Sequence, residues 1–283
     1  RINGKEINKK HVNLPANVSS QYISSLMMLG VSLKNGLVIN LSTEITSLPY
    51  IEMTKKIIER IGGNVRLQSN QIMIDSLSNK KIPNQLVESD WSSASYFYSI
   101  AALSDFSDLT LNTYYKNSIQ GDSDLVEIYK NFGIKTTYIN NGINLTKTDV
   151  KLEKKISLDL SNNPDLAQTI IVTCLGLGID CDLYGLQTLK IKETDRLKAL
   201  KSEIQKFGVD KIEITDNSIH LENKSKLKSN ISIDTYDDHR MAMSFVPLSI
   251  LKPIKINDPM VVSKSYVSFW DHLEKLGFKI LKK

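Results

Sequence analysis

The sequence predicts an α/β protein of two domains, built from repeated βαβαββ units. At 283 residues the chain is long enough for two domains, each with its own hydrophobic core. An amphipathic helix that ends in glycine, followed by a strand, a tight turn and a second strand, recurs at intervals of about 70 residues. Because glycine adopts positive φ at little cost, we predict this conformation where each helix ends. The glycines concerned are Gly62, Gly133, Gly208 and Gly277.

The first repeated unit is predicted element by element from its apolar periodicity. The pattern indicates a helix over Ser19–Leu29, a strand over Leu37–Leu41 and a second helix over Leu48–Ile61. A hairpin from Val65 to Ile74 follows, with its turn at Gln68–Asn70. These elements predict one complete unit at the start of the chain.

A polar stretch without periodicity, Pro83–Asp90, predicts the linker between the two domains. We therefore expect a first domain over residues 1–88 and a second over residues 89–283. The second domain is expected to hold nearly three further units and to end in a strand over Phe278–Leu281. Its helices are predicted near Ser93–Leu103, Ser123–Phe132, Asp165–Leu177, Glu193–Phe207, His239–Leu251 and Ser265–Leu276.

Composition excludes several classes of protein. Apolar residues make up 41% of the chain and charged residues 24%, as in ordinary folded domains. The longest apolar run, Thr169–Ile179, is too short to span a bilayer, so no membrane partner is expected. The sequence also shows no secretory segment, and Cys174 and Cys181 have no metal-ligand partners nearby. We therefore predict a cytoplasmic protein with reduced core cysteines and no bound metal.

The charge pattern favours small anionic ligands. The net charge is +5, but the lysines are scattered among acidic neighbours, so no nucleic-acid partner is expected. Two dense charged strings stand out, Lys192–Arg196 (KETDR) and Asp237–Met243 (DDHRMAM), each where a predicted strand gives way to a helix. A helix start offers unpaired amide groups and the positive end of the dipole, and the arginines add charge. The strings therefore predict one site for phosphate or carboxylate groups.

Both strings resemble signature segments of the 5-enolpyruvylshikimate-3-phosphate synthase family of enolpyruvyl transferases. The similarity runs from Val18–Tyr22 through Ser92–Phe97 to the segment Asp258–Lys264. It implies the enolpyruvyl transferase fold, in which two domains of three βαβαββ units each enclose the active site. Only one unit precedes the predicted linker, so we expect an incomplete first domain. The chain would then correspond to the C-terminal two-thirds of a synthase, with little activity alone.

The resemblance also implies a reaction and its ligands. The enolpyruvyl group of phosphoenolpyruvate (PEP) would pass to the 5-hydroxyl of shikimate 3-phosphate, with release of phosphate, in aromatic amino acid biosynthesis. Both substrates are anionic and a proton must be delivered and later removed, so the site needs cations and at least two carboxyl groups. No cofactor is implied, and we expect a monomer.

Individual residues receive roles from the same resemblance. Asp165 and Glu193 would be the catalytic proton-transfer groups. The contacts to shikimate 3-phosphate would be Ser19, Ser20, Gln21, Ser47, Tyr50, Asp165 and Lys192. The contacts to PEP would be Gln21, Arg196, His239, Arg240 and Lys264.

Taken without the resemblance, the same residues allow simpler interpretations. Ser19 fits an ordinary helix N-cap, and Asp165 fits a helix-start carboxylate that the dipole keeps ionised. Glu193 and Arg196, placed on one helix, would share a face as a surface ion pair. Two other functions also remain open, an enolpyruvyl transferase acting on UDP-N-acetylglucosamine and a non-catalytic anion-binding protein. The charged strings match the former less well, and the density of polar site residues argues against the latter.

Overall fold

The computed structural model describes residues 1, 3–16, 19–43, 45, 48–77, 82, 84–223 and 226–281. The chain forms two compact units. The first contains Arg1–Glu88 and Asn117–Ser123, and the second contains Ser89–Lys116 and Asp124–Lys283. The sequence-based division had left the segment Asn117–Ser123 with the later domain. Its polar side chains bond within the first unit, where Ser118 Oγ donates to Glu88 Oε1 at 2.8 Å.

The first unit is a single βαβαββ unit, in which two helices accompany one four-stranded sheet. Its strands are β1 (His11–Leu14), β2 (Leu37–Leu41), β3 (Val65–Gln68) and β4 (Gln71–Ile74), and its helices are α1 (Ser20–Ser32) and α2 (Leu48–Arg60). The sheet order is β1-β2-β4-β3, with β1 and β2 parallel and the other pairs antiparallel. Gly30 lets α1 lie close to the sheet, because a Cβ there would meet the Leu37 Cβ at 3.0 Å.

In the second unit the described residues form three sheets. The first has the antiparallel order β5-β7-β6 and is accompanied by two helices. These elements are α3 (Trp91–Leu103), β5 (Asp108–Asn112), α4 (Leu125–Ile128), β6 (Ile134–Ile139) and β7 (Gly142–Lys147). Helix α3 is buried along nearly its whole length, which explains why it has no charged side chain and no exposed polar face.

The charged strings lie where strands of the next two sheets lead into helices. The second sheet has the order β10-β11-β9-β8, and in the third β12 and β13 are parallel. The second sheet and its helices comprise β8 (Lys155–Asp159), α5 (Ala167–Leu177), β9 (Asp180–Tyr184), α6 (Arg196–Lys206), β10 (Lys211–Ile214) and β11 (Ile219–Glu222). The third contains β12 (Ile231–Ile233), α7 (His239–Phe245), β13 (Ile254–Ile256) and α8 (Phe269–Lys275). The α/β class with repeated units is confirmed, since β8 to β11 repeat the order of β1 to β4.

Helix ends show which predictions were right. The four glycines have φ of 89°, 74°, 80° and 93° in chain order, as predicted. Helix α6 begins at Arg196 rather than at Glu193, because Asp195 caps it and accepts from the Lys198 amide. The strand predicted over Phe278–Leu281 is wrong, as those residues have no regular structure.

Other predicted helices are shorter than expected. Pro164–Leu166 forms a separate 3₁₀ turn before α5, and the helix predicted over Ser123–Phe132 is a short α-helix between two 3₁₀ turns. The helix predicted over His239–Leu251 changes to 3₁₀ geometry at Val246, next to Pro247, whose missing N–H disfavours a continuous α-helix. Within the described residues, no helix combines the length and apolar character needed to cross a membrane.

Candidate active site

The second unit brings both charged strings to one edge of a sheet. Asp165 lies in the 3₁₀ turn between β8 and α5, while Glu193 lies between β9 and α6. Strands β8 and β9 are parallel neighbours, so the segments that follow them leave from the same sheet edge. The start of α7, which carries His239 and Arg240, joins them there through hydrogen bonds to both segments.

Arg196 is the centre of this cluster. It is only 1% exposed, and its guanidinium donates to three carboxylates. Nε bonds Asp238 Oδ2 at 2.7 Å, Nη1 bonds Asp165 Oδ1 at 2.9 Å, and Nη2 bonds Glu193 Oε2 at 2.7 Å. A guanidinium can do this because its donors form a rigid planar fork. Arg196 therefore cross-links the segments after β8, before α6 and before α7.

Asp238 and Ser92 are part of the cluster although no role was predicted for them. Asp238 is fully buried and caps α7 by accepting from the Arg240 amide at 2.8 Å. Its position just before an apolar helix was a recognisable capping signal. Ser92, at the start of α3, accepts from Arg240 Nη2 at 3.3 Å. Only its place in the family-like string Ser92–Phe97 could have indicated it.

Asp165 is surrounded by cations. Besides Arg196, its carboxylate lies 3.1 Å from Arg240 Nη2 and 3.4 Å from Lys192 Nζ. Burial alone would raise the pKa of Asp165, but the charges of Arg240, Lys192 and Arg196 hold that pKa well below its usual range. Asp165 is therefore ionised, and the cause is this set of cations rather than the helix dipole that the sequence suggested.

Glu193 is the most accessible of the three carboxylates. Its side chain is 39% exposed, against 12% for Asp165 and none for Asp238. The prediction that Glu193 and Arg196 share a helix face was wrong, since Glu193 precedes the helix and the pair forms across the helix start. Glu193 is therefore the carboxylate best placed to exchange a proton with a bound ligand.

His239 lies beside Glu193, with 3.8 Å between Nδ1 and Glu193 Oε1. Burial and the neighbouring Arg240 charge lower the pKa of His239, which favours the neutral ring. Nδ1 is buried and has no hydrogen-bond partner among the described residues. A neutral imidazole can donate or accept a hydrogen bond there without adding charge.

Lys264 lies at the end of a 3₁₀ turn and bonds the second charged string. Its ammonium donates to Asp237 Oδ1 at 2.6 Å and to the Asp237 carbonyl at 2.9 Å. Both side chains are well exposed, at 44% and 79%. An exposed pair of this kind contributes little to stability, so a ligand can replace the aspartate at small cost.

The first unit has a groove of about 330 Å³ between α1 and α2. It is lined by Ser20, Gln21, Ser24, Met28, Tyr50, Met53, Thr54, Ile57 and Ile58. Three of the predicted phosphoshikimate contacts thus share one surface, because α1 and α2 follow the parallel strands β1 and β2. Ser19 caps α1 by accepting from the Gln21 amide at 3.4 Å, and Ser47 lies outside the described residues.

A serine, a histidine and an aspartate also meet away from this cluster. Ser218 Oγ lies 2.8 Å from His220 Nε2, and His220 Nδ1 lies 2.9 Å from Asp182 Oδ1. Ser218 is 3% exposed, too buried to act as a nucleophile, so we assign this line to bracing β9 against β11. In the described part of the chain, no group of three or more His, Cys, Asp or Glu side chains is arranged to hold a metal ion.

A sequence profile for EPSP synthase (3-phosphoshikimate 1-carboxyvinyltransferase) matches residues 1–273. The chain belongs to the EPSP synthase family. A family member of the same name from Bacteroides fragilis is 44% identical over 99% of this chain, which covers 68% of that protein. Another from Dehalococcoides mccartyi is 31% identical over 99% of this chain, covering 66% of that protein. Membership confirms the predicted enzyme class, a transferase of the shikimate pathway.

Solved structures agree with EPSP synthase architecture. An EPSP synthase from Acinetobacter baumannii superimposes with a TM-score of 0.73 at 22% identity, over 94% of this chain and 62% of that one. The enolpyruvyl transferase NikO from Streptomyces tendae gives 0.64 at 8% identity, over 89% and 57%. These likenesses confirm the enolpyruvyl transferase fold. The chain thus spans less than two-thirds of either solved EPSP synthase-like structure.

Proposed function

We propose that the chain supplies PEP-binding, phosphoshikimate-binding and proton-transfer residues for enolpyruvyl transfer from PEP to shikimate 3-phosphate. The observation that supports this most is the cluster in which Arg196, Arg240 and Lys192 surround Asp165 on the family's signature segments. The hydroxyl oxygen would bond to C2 of PEP while C3 receives a proton. C3 would then lose a proton as the bond from C2 to the phosphate oxygen breaks and phosphate leaves.

PEP binding falls to the cations that are reachable from solvent. We assign the PEP carboxylate to Arg240, whose planar fork suits it, with neutral His239 beside it, and the phosphate to Lys264. Arg196 already donates to three carboxylates, so PEP can bond it only by displacing one of them. Glu193, the most exposed, is the partner that would move.

The carboxylates divide the proton transfers between them. Asp165 is held ionised by the neighbouring cations and so has no proton to donate, and we assign it to accept the hydroxyl hydrogen of the attacking substrate. Glu193 would deliver the proton to C3 and later remove it. Lys192 would neutralise phosphoshikimate near Asp165. The remaining proposed contacts of phosphoshikimate are the first-unit residues Ser19, Ser20, Gln21, Ser47 and Tyr50. Gln21 is also assigned to PEP.

Binding distinguishes this function from its alternatives. Calorimetry should show that the protein binds PEP and shikimate 3-phosphate but not UDP-N-acetylglucosamine. Phosphate release should be measured with the chain alone and with the unmatched part of the Bacteroides fragilis relative added as a separate polypeptide. A protein that bound UDP-N-acetylglucosamine instead would be the cell-wall type of transferase. A protein that bound these anions but released no phosphate, either alone or with the added polypeptide, would be a non-catalytic binding protein.

Replacing Arg240 by lysine is expected to raise the dissociation constant for PEP by about tenfold or more. An ammonium cannot keep the bonds to Asp165 and Ser92 while presenting a fork to the PEP carboxylate. The matched control is Arg66→Lys, which alters an exposed pair with Asp75 and should leave PEP binding unchanged. Unchanged PEP affinity in Arg240→Lys would remove the assignment of the carboxylate to Arg240.

Replacing Glu193 by glutamine is expected to lower turnover by ~10²–10⁴ while changing PEP affinity far less. The amide keeps the size of the side chain and an oxygen acceptor for Arg196, but it cannot transfer the proton. Phosphate release under substrate saturation measures the effect. Near-normal turnover in Glu193→Gln would show that another group moves the proton.

We further propose that the protein works as a cytoplasmic monomer. Cys174 and Cys181 are both buried free thiols, which suits a reducing compartment. Light scattering after gel filtration would measure the mass in solution, and a dimer mass would overturn the monomer proposal.

A further inference from the structure

Glu203 is a fully buried carboxylate of α6, two turns after Arg196. Oε1 accepts from the Tyr236 hydroxyl at 2.7 Å. Oε2 accepts from the Asp234 amide at 3.0 Å and from Lys206 Nζ at 2.6 Å. Two of these three donors belong to the turn that leads into α7. A buried charge is tolerated only when it is paired and hydrogen-bonded. Here Lys206 of α6 supplies the counter-charge, and the turn supplies the other two hydrogen bonds.

The turn from Asp234 to Asp238 has a costly backbone. Tyr236 and Asp237 both have left-handed φ, at 54° and 57°. Residues other than glycine disfavour this region, so consecutive examples persist only where the surroundings hold them. The next residue, Asp238, caps α7 and accepts from Arg196, and α7 begins with His239 and Arg240. The shape of the turn therefore sets the direction in which these two side chains leave the backbone.

Helix α6 holds this turn at both ends. At the end of the turn, Arg196 bonds Asp238. At the beginning of the turn, Glu203 bonds the Asp234 amide directly. Lys206 adds bonds there to Asp234 Oδ2 at 2.8 Å and to the Ser232 carbonyl at 3.0 Å. Asn257 Nδ2 donates to the other oxygen of Asp234 at 2.6 Å. Loss of Glu203 would loosen the beginning of the turn, which Lys206 and Asn257 would still bond, while leaving the Arg196 bond at its end in place.

We propose that Glu203 is a positioning residue for anion binding at His239 and Arg240. It acts through Asp234 and Tyr236, which it holds in the left-handed turn, and makes no contact with the ligand itself. The proposal rests on the proposed function only for the identity of the anion as PEP. The ordering of the turn by Glu203 is independent of that identity.

Amide hydrogen exchange and PEP titration on the same variants test this. In Glu203→Gln we expect amide exchange at residues 234–240 to speed up by about tenfold and the dissociation constant for PEP to rise by about as much. Tyr236→Phe, which removes one bond to Glu203, should move both quantities in the same direction by less. Tyr129→Phe is the matched control, because it removes a buried hydroxyl that bonds Thr173 in the core.

The outcomes separate this inference from the proposed function. The positioning role is supported if Glu203→Gln and Tyr236→Phe both show faster amide exchange confined to the turn and weaker PEP binding. Tyr129→Phe should show neither change. Wild-type exchange at the turn in Glu203→Gln would overturn it. If Glu203→Gln does not fold, Tyr236→Phe decides, and wild-type values there would overturn it equally. If the unmodified protein does not bind PEP, the proposed function fails, while the exchange data still decide whether Glu203 orders the turn.

Discussion

Replacing Arg196 by lysine is expected to lower the free energy of unfolding of the second unit by about 3–5 kcal/mol. The guanidinium is 1% exposed and donates to Asp165, Glu193 and Asp238 together. One ammonium cannot reach all three, so at least one carboxylate would lose its partner. The loss falls most heavily on Asp238, which has no exposure to water. A buried carboxylate without its counter-charge is far costlier than a lost surface pair.

Urea unfolding followed by tryptophan fluorescence measures this change. Trp91 and Trp270 both belong to the second unit, so the signal reports on that unit. Glu127→Gln is the control in the same unit, since its pair with Lys130 is well exposed and its loss should cost well under 1 kcal/mol. A change below about 1 kcal/mol in Arg196→Lys would mean that the carboxylates do not depend on the arginine.

Replacing Asp165 by asparagine should produce a loss of stability that depends on pH. The folded pKa of Asp165 lies below its unfolded value of about 3.9, because three cations favour the ionised form. A depressed pKa stabilises the fold fully above the unfolded value, and the contribution is lost as pH falls through the folded value. We therefore expect a constant difference in unfolding free energy between wild type and variant from pH 7 to about pH 5. The difference should shrink below about pH 4.

Unfolding curves at several pH values test this, with Asp216→Asn as a matched control. The Asp216 carboxylate is 95% exposed and pairs with the surface residue Lys190, so its removal should change stability little at any pH. A stability difference for Asp165→Asn that did not vary between pH 7 and pH 3 would contradict an ionised Asp165. The same variant should also lower phosphate release by ~10²–10⁴ if Asp165 takes the hydroxyl proton.

The sequence was a good guide to the fold where a local rule applied. Gly62, Gly133, Gly208 and Gly277 ended helices with positive φ, because this backbone conformation is a property of the residue itself. Helix starts were less predictable. Periodicity could not show that Asp195 would cap α6, since a charged residue before a helix can equally be its first turn. The closing strand failed because strand formation depends on a neighbour, which periodicity does not identify.

The sequence predicted most residues of the site, but it did not predict which side chains bond each other. The charged strings identified Asp165, Glu193, Arg196 and Arg240 before any geometry was known, and the structure brings them together. Asp238 and Glu203 were given no role, although both are fully buried. In a sequence, a buried carboxylate is indistinguishable from one on a solvated face. Only the fold shows that Glu203 and Arg196, seven positions apart on one helix, bond the two ends of the same turn.

The repeated strand order has an evolutionary consequence. Since β1 to β4 and β8 to β11 are arranged alike, the start of α1 in the first unit is the topological counterpart of the start of α5 in the second. Ser20 occupies one position and the Asp165 turn precedes the other. An ancestral duplication of such a module would have multiplied an anion-attracting backbone before any particular ligand was recognised. In this chain one copy presents hydroxyls and an amide side chain at that helix start, and the other presents a carboxylate.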